Sequence, residues 1–252
     1  MKIGGSTLGA HDTSLADIAA ARRDGRAIVV VHGGGATISA WLGRSGVQAT
    51  FVRGLRATDA ATLDVVVAVL AGVVNKQLVA ALNALGAPAI GLSGADSMIL
   101  QARRYDEELG FVGKIHRVNP YPLEELLRLG YVPVVAPIAI ESDGAGGAQL
   151  VNTNADTAAG ELAAALAAEQ LVFLTDVDGV LEGGSVLPEL DLAHAGRLIA
   201  DGIAAGGMIP KLEAAVRAAG AGCATRIVNG TREHALASAL AGEGGTVVHG
   251  AG

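Results

Sequence analysis

Along the chain, short runs of apolar residues alternate with longer segments in which apolar residues recur every three or four positions. The runs are "AIVVVHGGG" (27–35), "APAIGLSG" (87–94), "YVPVVAPIAI" (131–140), "QLVFLTDVDGV" (170–180) and "ATRIVNGT" (224–231). Most are rich in Val and Ile and stop at glycine or a polar turn, as strands buried on both faces of a parallel sheet do. Helical spacing marks "ADTAAGELAAALAAE" (155–169) and "PKLEAAVRAAGA" (210–221). Strands alternating with helices predict an α/β fold with a mostly parallel sheet covered on both faces. Ligands of such sheets gather at the carboxyl ends of the strands, so the residues just after each run are where chemistry is expected.

Two stretches break the alternation. "QARRYDEELGFVGKIHRV" (101–118) is charged and reads as a β-hairpin with Gly110 near its turn, projecting from the sheet. "ESDGAGGAQLV" (141–151) reads as a further hairpin or loop. The uncharged run 77–95 approaches the length of a membrane span, but it holds Gln77, Asn83, Pro88 and Ser93. It is better read as a helix, a turn and a short buried strand. No long linker and no fixed-period repeat divides the chain, and two lobes meeting near residue 170 are expected.

Composition narrows the picture. Of 252 residues, 51 % are hydrophobic, 17 % charged and only 3 % aromatic, so Ala, Val, Leu and Ile must fill the core of a globular protein. The formal net charge of -7 argues against non-specific nucleic-acid binding. The single Cys223 rules out a disulfide framework within the chain and suits a reducing compartment. No basic stretch followed by an apolar run opens the sequence, so a cytoplasmic protein away from membranes is expected.

Neither a P-loop nor a dinucleotide fingerprint is found, and no His/Cys cluster has metal-ligand spacing. Five strand-end features carry chemistry instead. "KIGGS" places a cation, Lys2, beside two glycines, and "VVVHGGGAT" places three glycines after a buried strand, where backbone N–H groups can meet an anion. Taken singly, a solvated terminus and a tight turn explain them as well. "GLRATD" offers Arg56, whose guanidinium can grip a carboxylate through two parallel hydrogen bonds. In "VNTNADTAA", an extended backbone puts Asn152, Asn154 and Asp156 on one face. Helix capping accounts for one of the three. The fifth feature joins "LTDVDGVL" with "GGMIPKLEAA", where Pro210 suits a first helical turn and Lys211 lies near the N-terminal end of the dipole. A lysine is unfavourable there unless an anion compensates it.

Taken together and in this order, "KIGG", "HGGG", "GLR", the Asn75–Lys76 pair, "GLSGAD", "DEELGFVG", "NTNAD", "TDVDGVL" and "GGMIPK" resemble the amino acid kinase family. The closest likeness is to its branch that phosphorylates the γ-carboxylate of N-acetyl-L-glutamate in arginine biosynthesis. The resemblance implies a three-layer αβα sandwich on an open sheet. Residues 1–170 would form a lobe for the amino-acid substrate and dimerisation, and 171–252 a lobe for ATP with Mg²⁺. It also implies that Lys2 and Lys211 stabilise the transferring phosphoryl group and that Asp156 orients them. Gly34 and Gly35 would meet the reacting end of the substrate, Arg56 its α-carboxylate, and Asn152 and Asn154 would line its site. ATP would contact Gly4, Gly5, Asp176, Val177, Asp178, Gly179, Val180, Leu181, Ile203, Ala204 and Ala205, and the hairpin around Gly110 would act as a substrate lid.

Two departures from the family pattern shape further expectations. Only Met1 stands before Lys2, where members usually carry several apolar strand residues, so either a shortened first strand or a true start upstream of Met1 is expected. The extra N-terminal helix of arginine-inhibited hexameric members is not seen, which implies an arginine-insensitive homodimer. Two alternatives stay open: a kinase for a carrier-protein-linked aminoadipate or glutamate, and a non-catalytic relative that binds an amino acid.

Overall fold

The computed structural model describes residues 1–4, 13–52, 54–142, 144 and 146–250. The chain runs through β1 (Lys2–Ile3), α1 (Ser14–Arg23), β2 (Val30–His32), α2 (Gly35–Arg44), β3 (Phe51–Val52), β4 (Leu55–Arg56) and α3 (Ala60–Val67). A π-helical turn over Ala68–Val74 leads into α4 (Asn75–Ala84), followed by β5 (Ala89–Ser93), β6 (Leu100–Arg104) and β7 (Gly113–Val118). Next come α5 (Tyr121–Arg128), β8 (Val132–Ala136), β9 (Ile138–Ser142), β10 (Ala148–Asn152), α6 (Ala155–Ala165) and β11 (Gln170–Thr175). The remainder holds β12 (Leu181–Glu182), β13 (Ser185–Val186), β14 (Glu189–Asp191), α7 (Leu192–Ala200), α8 (Met208–Ala219), β15 (Ala224–Asn229), α9 (Ala235–Leu240) and β16 (Thr246–His249).

Eight strands form the main sheet in the order β14-β16-β15-β11-β1-β2-β8-β5. It is parallel from β15 through β5, and β16 joins β15 antiparallel. Side chains alternate across it with period two, which explains the unbroken apolar runs. Val31, Val135, Phe173 and Ile227 enter a core shared with α6 and α8. Their neighbours Val30, Val134, Leu174 and Val228 enter a second core with α1, α2 and α9. Two helical layers therefore enclose the sheet, as expected. The two-residue β1 lies at its centre, Lys2 pairing with Phe173 on one side and Val31 on the other.

The run 131–140 is not one strand. It divides at Pro137, which has no N–H to give to a ladder, and β8 stays in the main sheet while β9 enters a second, four-stranded sheet ordered β10-β9-β6-β7. Both predicted hairpins belong to that second sheet: β6 and β7 pair antiparallel, and so do β9 and β10. Gly110 sits in the β6–β7 connection at φ +64°, a conformation glycine adopts without strain. That connection does not project freely. The N–H of Thr58 donates to the Leu109 carbonyl, that of Phe111 to Thr58, and that of Asn152 to Phe111, at 3.0, 2.7 and 2.8 Å.

Helical structure over 60–84 is long and apolar enough, by length and composition, to cross a membrane. Here Val66, Val69, Leu70, Val74, Leu78 and Leu82 are buried in the second core, so it packs as an interior helix against the sheet. The apolar run beginning at Gln77 forms the end of this helix, a turn and β5, as expected.

Candidate active site

The site forms where β1, β2 and β11 end side by side. α6 and α8 supply its other wall, and their crossing is unusually close. A Cβ added to Gly160 would lie 2.7 Å from the Ala214 carbonyl oxygen and 2.9 Å from its Cα. Gly160 is one turn after Asp156, and Ala214 is three residues after Lys211, so the close packing brings the first turns of the two helices together. The Asn154 carboxamide starts α6 by accepting the N–H groups of Asp156 and Thr157 at 2.8 and 3.0 Å. Asp156 is thereby aimed inward from a capped helix terminus.

Asp156 stands between the two lysines. Lys211 Nζ donates to its Oδ2 at 3.1 Å, and Lys2 Nζ lies 2.9 Å from its Oδ1. All three side chains are at most 13 % exposed. The Lys2 contact is an ion pair outside hydrogen-bond geometry, so Oδ1 is a buried oxygen with no hydrogen-bond donor. Burial pushes the Lys2 amine below its ordinary value and Lys211 adds to that effect, while Asp156 opposes both. Asp156 alone cannot neutralise two buried ammonium groups, although the exposed Asp176 also acts on Lys2, and the N-terminal ends of α6 and α8 add positive potential. The chain has built a place for an anion.

Beside it, β2 delivers the glycine turn. Gly34 is the N-cap of α2 and Gly35 its first residue. A Cβ at Gly34 would come within 2.7 Å of Leu70 Cδ2 and 3.3 Å of Val74 Cγ2, both on the π-helical turn. Only glycine lets the backbone sit this deep. Arg56 is tied to this turn, its Nη2 donating to the Gly35 carbonyl at 3.1 Å and to Ser39 Oγ at 2.9 Å. Its guanidinium carbon lies 4.7 Å from the centre of the Phe51 ring. Its Nη1 is buried without a hydrogen-bond partner, and no acidic side chain pairs with the guanidinium among the described residues. That orphan donor calls for a carboxylate. Asn152 Nδ2 donates to Thr58 Oγ1 at 3.2 Å, which joins the Arg56 strand to the end of β10. Thr58 and Ser39 escaped the sequence reading, since isolated hydroxyl residues carry no pattern.

The residues expected to face ATP are placed less uniformly. Asp176 follows β11, and its charge acts on Lys2. The Thr175 hydroxyl donates to its Oδ1 at 3.2 Å. Asp178 takes Asn229 Nδ2 at 2.7 Å and Arg232 at 2.8 Å, two partners the sequence did not mark. Val177, Leu181, Ile203 and Ala205 are exposed. Val180 and Ala204 instead turn into the core, and the Val180 N–H is taken by Thr246 Oγ1 at 2.8 Å. Gly179 abuts the same threonine. Gly4 continues β1 by donating to the Leu174 carbonyl at 3.1 Å, whereas Gly5 lies outside the described residues. Among the described residues no group of three His, Cys, Asp or Glu side chains could hold a metal ion.

The αβα sandwich thus holds two lysines on one shared aspartate beside its central strands. The sequence model of the amino acid kinase family matches residues 1–229, and the chain belongs to that family. It is 44 % identical over 254 residues to the acetylglutamate kinase of Dehalococcoides mccartyi (strain BAV1), covering 99 % of this chain and 93 % of that protein. It is 49 % identical over 232 residues to the acetylglutamate kinase of Synechococcus sp. (strain CC9311), covering 90 % and 80 %. Among solved structures, smu.665 from Streptococcus mutans UA159 superposes with a TM-score of 0.85 at 28 % identity, covering 98 % of this chain and 96 % of that one. The N-acetylglutamate synthase of Neisseria gonorrhoeae, complexed with coenzyme A and N-acetyl-glutamate, gives 0.84 at 27 % identity. There this whole chain corresponds to 59 % of the other.

Proposed function

We propose that the chain transfers the γ-phosphoryl group of ATP to the γ-carboxylate of N-acetyl-L-glutamate, giving an acyl phosphate and ADP in the cytoplasmic route to arginine. The observation that carries this reading is the Asp156 carboxylate shared between Lys2 and Lys211. The acceptor is already ionised at neutral pH, so no general base is needed. One carboxylate oxygen forms a bond to the γ-phosphorus while the bond to the β–γ bridging oxygen breaks, and the electron pair leaves with ADP. No proton moves.

Catalysis then consists of aligning two anions and neutralising the charge that builds on the transferring group. Lys2 and Lys211 meet that charge, and Asp156 keeps their amines apart and oriented. The N–H groups of Gly34 and Gly35 meet the acceptor end. The unpaired Arg56 Nη1 takes the α-carboxylate, and Asn152 and Asn154 border the substrate. The stretch from Asp176 to Leu181 and the exposed Ile203 and Ala205 line the nucleotide side. Bound with the nucleotide, Mg²⁺ would supply positive charge at the phosphates. The exposed Asp176 after β11 would be this chain's carboxylate for it.

Within this reading, residues 1–170 form the substrate lobe and 171–252 the nucleotide lobe. A homodimer is supported by the terminal position of β5 in the main sheet. It is also supported by the outward face of the 60–84 helix, where the exposed Ala61, Ala68 and Gly72 lie in line. ADP release measured with acetylglutamate, glutamate and aspartate as acceptors tests the assignment. Turnover with acetylglutamate and little with the others is the expected result. Equal rates, or none with acetylglutamate, would remove it.

A further inference from the structure

His32 and Asn75 are wholly buried polar residues, and the phosphoryl transfer described above uses neither. His32 ends β2 directly before the glycine turn, and Asn75 begins α4 directly after the π-helical turn. The Asn75 amide nitrogen lies 2.9 Å from the Val134 carbonyl, 3.2 Å from that of Leu92 and 3.2 Å from His32 Nε2. Its Oδ1 accepts Lys76 Nζ at 3.0 Å, and the same ammonium reaches the Gly91 carbonyl at 3.0 Å. Two carbonyls on one side and an ammonium on the other leave only one orientation for the Asn75 amide.

That orientation decides the histidine. An NH₂ group facing Nε2 makes Nε2 an acceptor, so the ring proton is on Nδ1, 3.0 Å from the Gly33 carbonyl oxygen, and donates to it. Burial lowers the His32 basicity and holds the ring neutral. The chain of donors therefore starts at the Asn75 amide, held by the Leu92 and Val134 carbonyls of β5 and β8, and runs through His32 to the Gly33 carbonyl. Within a planar trans peptide the C=O of Gly33 and the N–H of Gly34 point in opposite directions. With the carbonyl held against the ring, the Gly34 N–H is turned away from it, and it donates to no other described residue. The π-helical turn fixes the same unit from the other side, since Leu70 and Val74 leave no room for a Cβ at Gly34.

We infer that His32 and Asn75 are positioning residues, which pin the Gly33 carbonyl so that the Gly34 N–H faces the reacting end of the acceptor. This rests on the function proposed above. Its consequence is kinetic: a mis-set peptide unit weakens the transition state while nucleotide binding is retained. The test compares His32→Phe, which cannot donate to Gly33, with His32→Gln, whose amide can, together with Asn75→Ala and the double variant His32→Phe/Asn75→Ala. In the folded fraction, His32→Phe is expected to lower kcat roughly 10- to 100-fold, with KM for ATP within about twofold of the parent. His32→Gln should recover most of that loss, and the double variant should fall no further than the worse single. Unchanged kcat in His32→Phe, or losses that multiply in the double variant, would overturn the inference; a purely structural role would lower thermal stability alone. A second readout does not need turnover. In the parent protein, ¹⁵N resonances at neutral and alkaline pH should place the His32 proton on Nδ1, and the Gly34 amide should shift in Asn75→Ala. A proton on Nε2, or an unmoved Gly34 amide, would overturn it even if acetylglutamate proved not to be the acceptor.

Discussion

Gly160 on α6 and Ala214 on α8 touch so closely that the first lacks space for even a methyl group. This contact sets the distance between Asp156 and Lys211, each about one turn nearer the N-terminus of its helix. Packing and chemistry are thus coupled through two apolar positions that never meet a ligand. Gly160→Val must drive the helices apart, and overpacking of this kind costs about 1–3 kcal/mol. The expected outcome is a lower melting temperature together with a kcat reduced by roughly 10- to 100-fold in protein that remains folded. Thermal unfolding and steady-state kinetics on the same preparation separate the two effects.

Arg56 is held by the Gly35 carbonyl and Ser39, with Nη1 unmatched. A lysine cannot reproduce a two-pronged grip on a carboxylate. Arg56→Lys is expected to raise KM for the amino-acid substrate by about 10- to 100-fold, the equivalent of one or two charge-assisted hydrogen bonds. KM for ATP should stay near the parent value. Initial rates with each substrate varied in turn check this.

The depressed basicity of Lys2 has a kinetic signature. As pH rises, a buried amine loses its proton before an ordinary lysine does. The profile of kcat/KM for ATP, which reports on the free enzyme, should fall on an alkaline limb lying below the usual lysine range near about 10.4. Lys2→Arg should shift that limb upward or abolish it. A flat profile up to the usual lysine range would show that Lys2 does not titrate in the rate-determining assembly.

A separate linkage joins α1 to α9. The His234 ring takes the buried Asp17 carboxylate at 2.8 Å, and the His234 N–H donates to Thr13 Oγ1 at 2.6 Å. Hydrogen bonding to Asp17, with its charge, raises the His234 pKa above 6.5. A raised pKa in the folded state means that the folded protein binds the proton more tightly. The stabilisation is therefore complete below the unfolded value and is lost as pH climbs through the folded one. Melting temperatures of the parent and His234→Ala should differ most at mildly acidic pH and converge in the alkaline range.

How much of this the sequence revealed follows from what marks a residue in a linear chain. Unbroken Val and Ile runs ending in glycine exposed the parallel sheet and its carboxyl ends, because two-sided burial leaves no polar alternation. The break at Pro137 was hidden by apolar residues on both sides, although the missing N–H could have been read as the point where one sheet ends. Lys2, Asp156 and Lys211 are far apart in the chain, and only the ordered resemblance to a family suggested that they meet. Asn154 proved to be a helix cap as its residue type allows, while its neighbours Asn152 and Asp156 face other partners. His32 and Asn75 each stood in a family-like motif, but nothing in the pattern joined them, since the groups that orient the link are the backbone carbonyls of Val134 and Leu92.

The central claim is that two ammonium groups oriented by one carboxylate neutralise a transferring phosphoryl group. It is tested most directly by acetylglutamate-dependent ADP release from the parent protein, Lys211→Ala and Asp156→Asn, each confirmed as folded. The account predicts turnover in the parent and a loss of about 10²–10³ in kcat for each variant. Parent-like turnover in both folded variants would contradict it.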